Sequence, residues 1–471
     1  MAEPVPLSTT ASLCPVCLRR VRAVREQEGD TVFLSKQCPE HGPFRTVLWR
    51  GDPAFSSWIR PKTPSTPQTT STTVDKGCPF DCGLCPDHGQ HTCTALIELT
   101  RRCNLRCPIC FAESETSDAG NKGKNDEPDL ERIGWLYDRV MTASGPCNIQ
   151  LSGGEPTLRE DLEAIIALGR SKGFSFLQLN TNGLRLAEHP GYARALKAAG
   201  LSSVFLQFDG LSPAVHRQIR GRDLHDTKQR AIEHCAAAGL GIVLVPVLVP
   251  GINTGEVWSI IEYALQFAPA VRGVHFQPLS YFGRYPRPPS DQDRLTLPEL
   301  LQLLFVQSGG RLQPEQFAPP ACEHALCSLH GSFLIEEDGR LTALGQGAAC
   351  CSSGEPGGAV PTALEGRERS VRFTARQWAH PLPMAQLPEQ NGAGCGCAPT
   401  RMDDLDRFLQ RARTHTFSIS AMAFQDVWNL DLERLRGCCI HVVAPDGKLI
   451  PFCAYNLTSA TGVPLYRGNR S

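Results

Sequence analysis

Little in this chain points outward. Lys and Arg number 47 against 48 Asp and Glu, a net charge of -1, so no excess of one sign marks it for nucleic acid. Long apolar runs are missing as well. The longest, Ile242 to Val249, is interrupted by Pro246 and is far shorter than the ~20 residues a membrane-crossing helix needs. No N-terminal segment has the basic-then-apolar profile of a secretory signal. These absences predict a cytoplasmic protein without a transmembrane segment, at most in peripheral contact with a membrane.

What the chain does have is cysteine, 21 in 471 residues. Disulfide frameworks belong to short secreted chains with even counts. Clustered C-x2-C and C-x3-C spacings in a chain without a signal favour metal binding in a reducing compartment. The length and the 41% hydrophobic content allow a full core and more than one structural unit. Cys147 and Cys235 stand alone and read as small buried apolar residues.

Cys103, Cys107 and Cys110 form C-x3-C-x2-C directly after the apolar run Ala95 to Leu99. Three thiolates can hold three corners of a cubane iron–sulfur cluster and leave its fourth iron open to a ligand. Zinc usually takes four ligands as two spaced pairs, so a triplet suits it poorly. A second apolar run leads into Gly153-Gly154-Glu155-Pro156, where glycines let the backbone approach a ligand closely.

Three further cysteine groups are visible. Cys78, Cys82, Cys85 and Cys93 make C-x3-C-x2-C-x7-C, enough to close a second cluster completely, with zinc as the alternative. His88 and His91 inside that loop read as solvated polar residues. Cys14 and Cys17, then Cys38 and His41, form two knuckles of a ribbon-type site for zinc or iron. In the tail, Cys322, Cys327, Cys453 and one of the adjacent Cys438 and Cys439, with Cys439 the expected one, could gather around a third cluster.

Strand-like runs at 95–99, 148–152, 176–180, 203–209, 241–249 and 273–277 alternate with amphipathic stretches. In one of these, Leu130, Ile133, Leu136, Tyr137, Val140 and Met141 recur at helical spacing. Such alternation predicts an α/β fold with parallel strands and right-handed crossovers. Around it we expect a metal-ribbon unit at 1–60 and a mobile Pro/Ser/Thr-rich linker at 61–76. An auxiliary cluster loop at 77–94 should follow, then the barrel at 95–300 and a C-terminal auxiliary-cluster region at 301–471. Residues 115–128 should form a polar surface loop. A Gly/Ala/Pro-rich variable insert at 345–400 carries Cys350, Cys351, Cys395 and Cys397, which fit no motif. Parallel barrels place their chemistry at the carboxyl ends of the strands. The triplet, Gly153 to Pro156, Asn180 to Gly183, Asp209 and 249–253 all fall there. Val243, Leu244, Val245, Val247, Leu248 and Val249 read as barrel core, with the lining of an apolar cavity as the alternative.

The triplet and the Gly-Gly-Glu-Pro motif resemble the radical S-adenosylmethionine (SAM) superfamily. The resemblance implies a partial (β/α)6 barrel and a SAM-binding [4Fe–4S] cluster on Cys103, Cys107 and Cys110. It implies Gly153, Gly154 and Glu155 at the methionine amino group, and Asn180, Asn182 and Asp209 at ribose or carboxylate. Ile109 stands where many members carry an aromatic residue, so Phe111 is the ring available to adenine. Over nearly the whole chain, CPxC…CPEHG, CPFDCGLCPxHxQHTC, CNLRCPICFAES, SGGEPT and CCIHxxxPDGxxIPFCAYN are similar to the tetraether lipid synthase branch. That branch implies two auxiliary [4Fe–4S] clusters beside the SAM-binding one, and a mononuclear iron, for which zinc is the alternative. It also implies reductive cleavage of SAM to a 5′-deoxyadenosyl radical, hydrogen abstraction from an unactivated carbon and carbon–carbon coupling of lipid alkyl chains. A flavodoxin or ferredoxin would donate the electrons. The alternatives are a radical methylase of a pterin-like small molecule, without a visible cobalamin segment, and a peptide-modifying maturase. The usual C-x2-C-x5-C-x3-C array of such maturases is absent. A non-catalytic electron-transfer protein is a third alternative, against which the intact motifs argue.

Overall fold

The computed structural model describes residues 4–67, 69–116, 127–345, 360–381 and 404–468. Cys350, Cys351, Cys395 and Cys397 lie outside the described residues, as does most of the loop expected at 115–128.

The N-terminal unit is an antiparallel meander of β1 (Val5–Leu13), β2 (Arg20–Glu28), β3 (Thr31–Cys38) and β4 (Gly42–Arg50). Alternation along β3 buries Val32, Leu34, Lys36 and Cys38 on one face. The unit is docked onto the rest of the chain through apolar residues, Leu13, Val32 and Trp49, and through polar groups. Arg25 pairs with the buried Asp431, and Lys36 Nζ donates to Ser12 Oγ and to the Val427 carbonyl.

The central sheet contains all six expected strands: β5 (Thr94–Thr100), β6 (Asn148–Gly153), β7 (Leu177–Thr181), β8 (Ser203–Gln207), β9 (Gly241–Val245) and β10 (Val271–Pro278). They lie side by side in chain order, every pair parallel. Helices α1 (Leu130–Ser144), α2 (Leu162–Ser171), α3 (Pro213–Arg220), α4 (His225–Ala237) and α5 (Val257–Leu265) connect them, except that two short helices, Leu184–Glu188 and Tyr192–Ala198, join β7 to β8. In α1 the expected stripe Ile133, Leu136, Tyr137 and Val140 is buried, and the N-cap Asp129 accepts from Arg132 N.

Among the described residues the sheet does not close on itself. Its edges are covered by the tail, which is therefore not a separate region. Of the strands β11 (Ser328–Ile335), β12 (Leu341–Ala343), β13 (Thr416–Met422) and β14 (Ile440–Val443), β13 runs parallel beside β10 and β14 parallel beside β5. Beyond β13, β11 adds antiparallel. The edges of the enlarged sheet are then the three-residue strands Leu341–Ala343 and Leu449–Pro451, and very short edge strands limit edge-to-edge pairing.

Two other expectations change. The stretch read as a variable insert supplies α6 (Ala363–Trp378), started by a Thr362–Glu365 capping box. It lies across the amino ends of the strands. Arg367 donates to the carbonyls of Thr92, Ser144 and Pro146, and Gln377 and Arg272 bond reciprocally. The segment 61–76, expected as a mobile linker, is pinned at both ends of its course. Thr63 N bonds to Pro361 O, Ser65 N to Gly89 O, Ser71 N to Gly83 O, and Thr72 Oγ1 to Asp81 O. A segment with little to bury can still be held through its backbone and hydroxyl groups.

Candidate active site

The loop after β5 carries the triplet. Cys103 and Cys107 are buried and Cys110 is half-buried. Cys110 and Arg284 exchange two backbone hydrogen bonds, at 2.9 and 3.0 Å, and Arg284 Nε donates to Cys107 O at 3.0 Å, which clamps the loop. Burial pushes the Cys103 thiol up to about 12 and raises Cys107 as well. Around Cys110, burial is outweighed by hydrogen bonds from Ser114 and the adjacent backbone, and its thiol is held below the ordinary range. Three sulfurs facing one cavity form a donor set that suits an iron–sulfur cluster with an open iron.

Gly153 and Gly154 are required by a close crossing of backbones. A Cβ on Gly153 would stand 2.3 Å from Thr100 O, at φ +123, and one on Gly154 2.1 Å from Arg102 O. Glu155 is fully engaged: Oε1 accepts from Thr157 N, Thr157 Oγ1 and Thr181 Oγ1, and Oε2 from Asn182 N. Asn182 bonds to Asn104 and Leu184 N. Asp209, expected at the ligand, is buried and paired with Arg220 instead. Of these polar residues, Asn180 is the open one. Its Oδ1 is buried without a partner, and the residue lines the cavity. Phe111 stands at the cavity with its ring 5.7 Å from that of Phe452.

The cavity, about 260 Å³, runs from the triplet through the inside of the sheet to α6. Gln150, Asn180, Gln207, His275 and Gln277 project into it from the strands. Ser370, Thr374 and Trp378 line its floor at helical spacing. Phe205, His275 and Trp378 form a ring trio with centroids 5.5–6.0 Å apart. His275 Nδ1 meets Ser420 Oγ at 2.9 Å, and burial holds the imidazole down to about 4, so it is neutral near pH 7. Glu323 lines the same cavity with Oε2 unpartnered, and burial raises its carboxyl to about 7. Sequence reading missed Glu323 and the floor residues. The only signal was a four-residue spacing inside a Gly/Ala/Pro-rich stretch.

A family model described as the radical SAM superfamily matches residues 97–264, and one described as the HMPTM N-terminal zinc ribbon domain matches 6–50. A 7,8-dihydro-6-hydroxymethylpterin dimethyltransferase of Methanocaldococcus jannaschii is 35% identical over 95% of this chain and 93% of its own length. The chain belongs to the radical SAM superfamily and to the family of that dimethyltransferase. A probable GTP 3′,8-cyclase of Methanothermobacter thermautotrophicus is 33% identical over 37% of the chain and 55% of its own length. Streptococcus suis SuiB has a TM-score of 0.37 at 12% identity, covering 46% of each chain.

In this radical SAM enzyme the remaining cysteines fall into separate groups. The ligand atoms of Cys14, Cys17, Cys38 and His41 lie within 4.8 Å of one another, a spacing suited to one tetrahedral ion. Desolvation of Cys38 is outweighed by His41 and backbone donors, which hold its thiol down to about 6. Cys93 was expected beside Cys78, Cys82 and Cys85. It meets Cys322 and Cys439 instead, three buried sulfurs within 4.8 Å. Cys327 and Cys453 are not in that trio. Cys327 Sγ takes Arg434 Nη2 at 3.2 Å, and Cys453 Sγ takes Gln425 N at 3.2 Å. Cys438 Sγ turns to Ile440 O. Among the described residues, no helix is long and apolar enough to cross a membrane.

Proposed function

We propose that this radical SAM enzyme forms a carbon–carbon bond at an unactivated carbon of a flat, hydrogen-bonding heterocycle of the pterin class. A [4Fe–4S] cluster on Cys103, Cys107 and Cys110 would supply the electron that splits SAM into methionine and a 5′-deoxyadenosyl radical. The chain's own residues do the rest. Gly153 and Gly154 keep the wall thin beside the triplet, the Arg220–Asp209 pair fixes the loop behind Cys107, and α6 closes the floor against water. A hydrogen atom would leave the substrate carbon for the 5′ carbon, and the substrate radical, held by the cavity walls, would take the methyl group of a second SAM: the S–CH3 bond breaks, the carbon–carbon bond forms, and one further electron from the external reductant leaves S-adenosylhomocysteine.

The observation that carries this reading is the set of amide side chains, Gln150, Gln207 and Gln277, in a cavity continuous with the triplet. Buried polar groups are usually hydrogen-bonded. Amide groups suit the amino and ring nitrogens of a pterin and offer nothing to an alkyl chain. The dimethyltransferase name of the Methanocaldococcus jannaschii relative agrees with this choice.

A second reading, coupling of lipid alkyl chains by a tetraether synthase-like enzyme, is favoured by apolar walls. Leu96, Ile109, Val245, Leu279, Phe282 and Phe424 line the same cavity. One experiment separates the two. Anaerobically reconstituted protein is given SAM, dithionite and either a 6-hydroxymethyl dihydropterin or an alkyl lipid, and the products are weighed by mass spectrometry. A pterin heavier by methyl units is expected. Cross-linked lipid with unaltered pterin would transfer the assignment to the second reading.

A further inference from the structure

With Cys93 drawn to Cys322 and Cys439, the thiols of Cys78, Cys82 and Cys85 are left one ligand short. These three residues line one small cavity, and among the described residues no other cysteine lines it. His88 does.

His88 is oriented in two ways. Its backbone N donates to Cys85 O at 3.0 Å, a turn that folds the residue back over the cysteine segment. Its side chain is buried, with Nε2 at 2.8 Å from Cys438 O. A carbonyl can only accept, so Nε2 carries the proton and Nδ1 presents the bare lone pair. Metal-bound imidazoles commonly donate their other N–H to a carbonyl in this way. The ligand atoms of Cys78, Cys82, Cys85 and His88 do not all converge within 4.8 Å as those of the ribbon do, and neither do those of Cys103, Cys107 and Cys110. The two cysteine triplets also share the C-x3-C-x2-C spacing.

We propose that His88 Nδ1 is the fourth ligand of a [4Fe–4S] cluster held by Cys78, Cys82 and Cys85. A neutral imidazole in place of a thiolate removes one negative charge and raises the cluster's reduction potential, as imidazole ligation does in other clusters. This assignment is independent of whether the substrate is a pterin or a lipid.

The test uses the full chain, reconstituted anaerobically in a Cys103→Ala, Cys107→Ala, Cys110→Ala background that removes the SAM-binding site. Pulsed electron–nuclear double resonance of the reduced protein should show a directly coordinated ¹⁴N. His88→Cys keeps four ligands, so it should retain the iron, lose the nitrogen coupling and shift the potential downward. Cys93→Ser and His91→Ala should keep the coupling. Absence of coordinated nitrogen in the parent, or its survival in His88→Cys, overturns the proposal.

Discussion

Arg220 donates from Nε and Nη2 to the two carboxylate oxygens of Asp209, each at 2.6 Å, with both side chains buried. The same guanidinium faces Cys107, so this ion pair ties the fourth strand end to the cluster loop. Removing one partner of a buried pair leaves the other charge uncompensated, at a cost of ~3–5 kcal/mol. Asp209→Asn should therefore lower the urea midpoint sharply, and Asp209→Asn with Arg220→Met should recover much of the loss. A single variant within ~1 kcal/mol of the parent would mean that the pair does not hold the loop.

Gly241 sits under the end of α6. A Cβ there would lie 2.1 Å from Trp378 O. Overpacking of this kind costs ~1–3 kcal/mol, and here it would lift the cavity floor. Gly241→Ala should leave 5′-deoxyadenosine release running while product per 5′-deoxyadenosine falls. Gly255→Ala, where nothing lies within 4 Å of the added carbon, is the matched control. Equal coupling in the two variants would remove α6 from the substrate site.

The six central strands could be read from the sequence because a buried parallel strand is a continuous apolar run, and the triplet because its spacing is local. The sheet edges could not. β13 and β14 pair with strands far back in the chain, and nothing local shows that a strand of the tail extends the central sheet. Cys93 was misplaced for the same reason. It meets Cys439, 346 residues away, only because Thr94 opens β5 in register with Ile440. Asp209 illustrates the converse. A carboxylate at a strand end has the same appearance in sequence whether it faces a ligand or a buried arginine.

Lys228 gives a pH signature. Its ammonium is fully buried beside the Asn182 carbonyl, and burial lowers it from the usual 10.5 to about 8. The folded value lies below the unfolded one, so the unfolded chain binds more protons between about 8 and 10.5. Stability should therefore rise with pH across that window, by about 3 kcal/mol in total. Below pH 8 the penalty is complete and constant. Lys228→Met should flatten that part of the curve, measured by denaturant titrations at matched pH values. A parallel curve in the variant would show that the group is not desolvated.

The ribbon should depend on a metal ion more than the central sheet does. A unit of this size buries too little apolar surface to be stable alone, and it docks through the Arg25–Asp431 and Lys36–Val427 contacts together with Leu13, Val32 and Trp49, which join apolar clusters of the rest of the chain. Holding Cys14, Cys17, Cys38 and His41 together fixes the turns on which β1 and β3 end. Cys38→Ser should lose about one metal ion per chain by elemental analysis. It should also expose 51–60 to limited proteolysis while 5′-deoxyadenosine release persists. Unchanged metal content would mean that these four residues do not bind the ion, and loss of 5′-deoxyadenosine release with the ribbon metal alone would make the unit part of the catalytic machinery rather than a docked support.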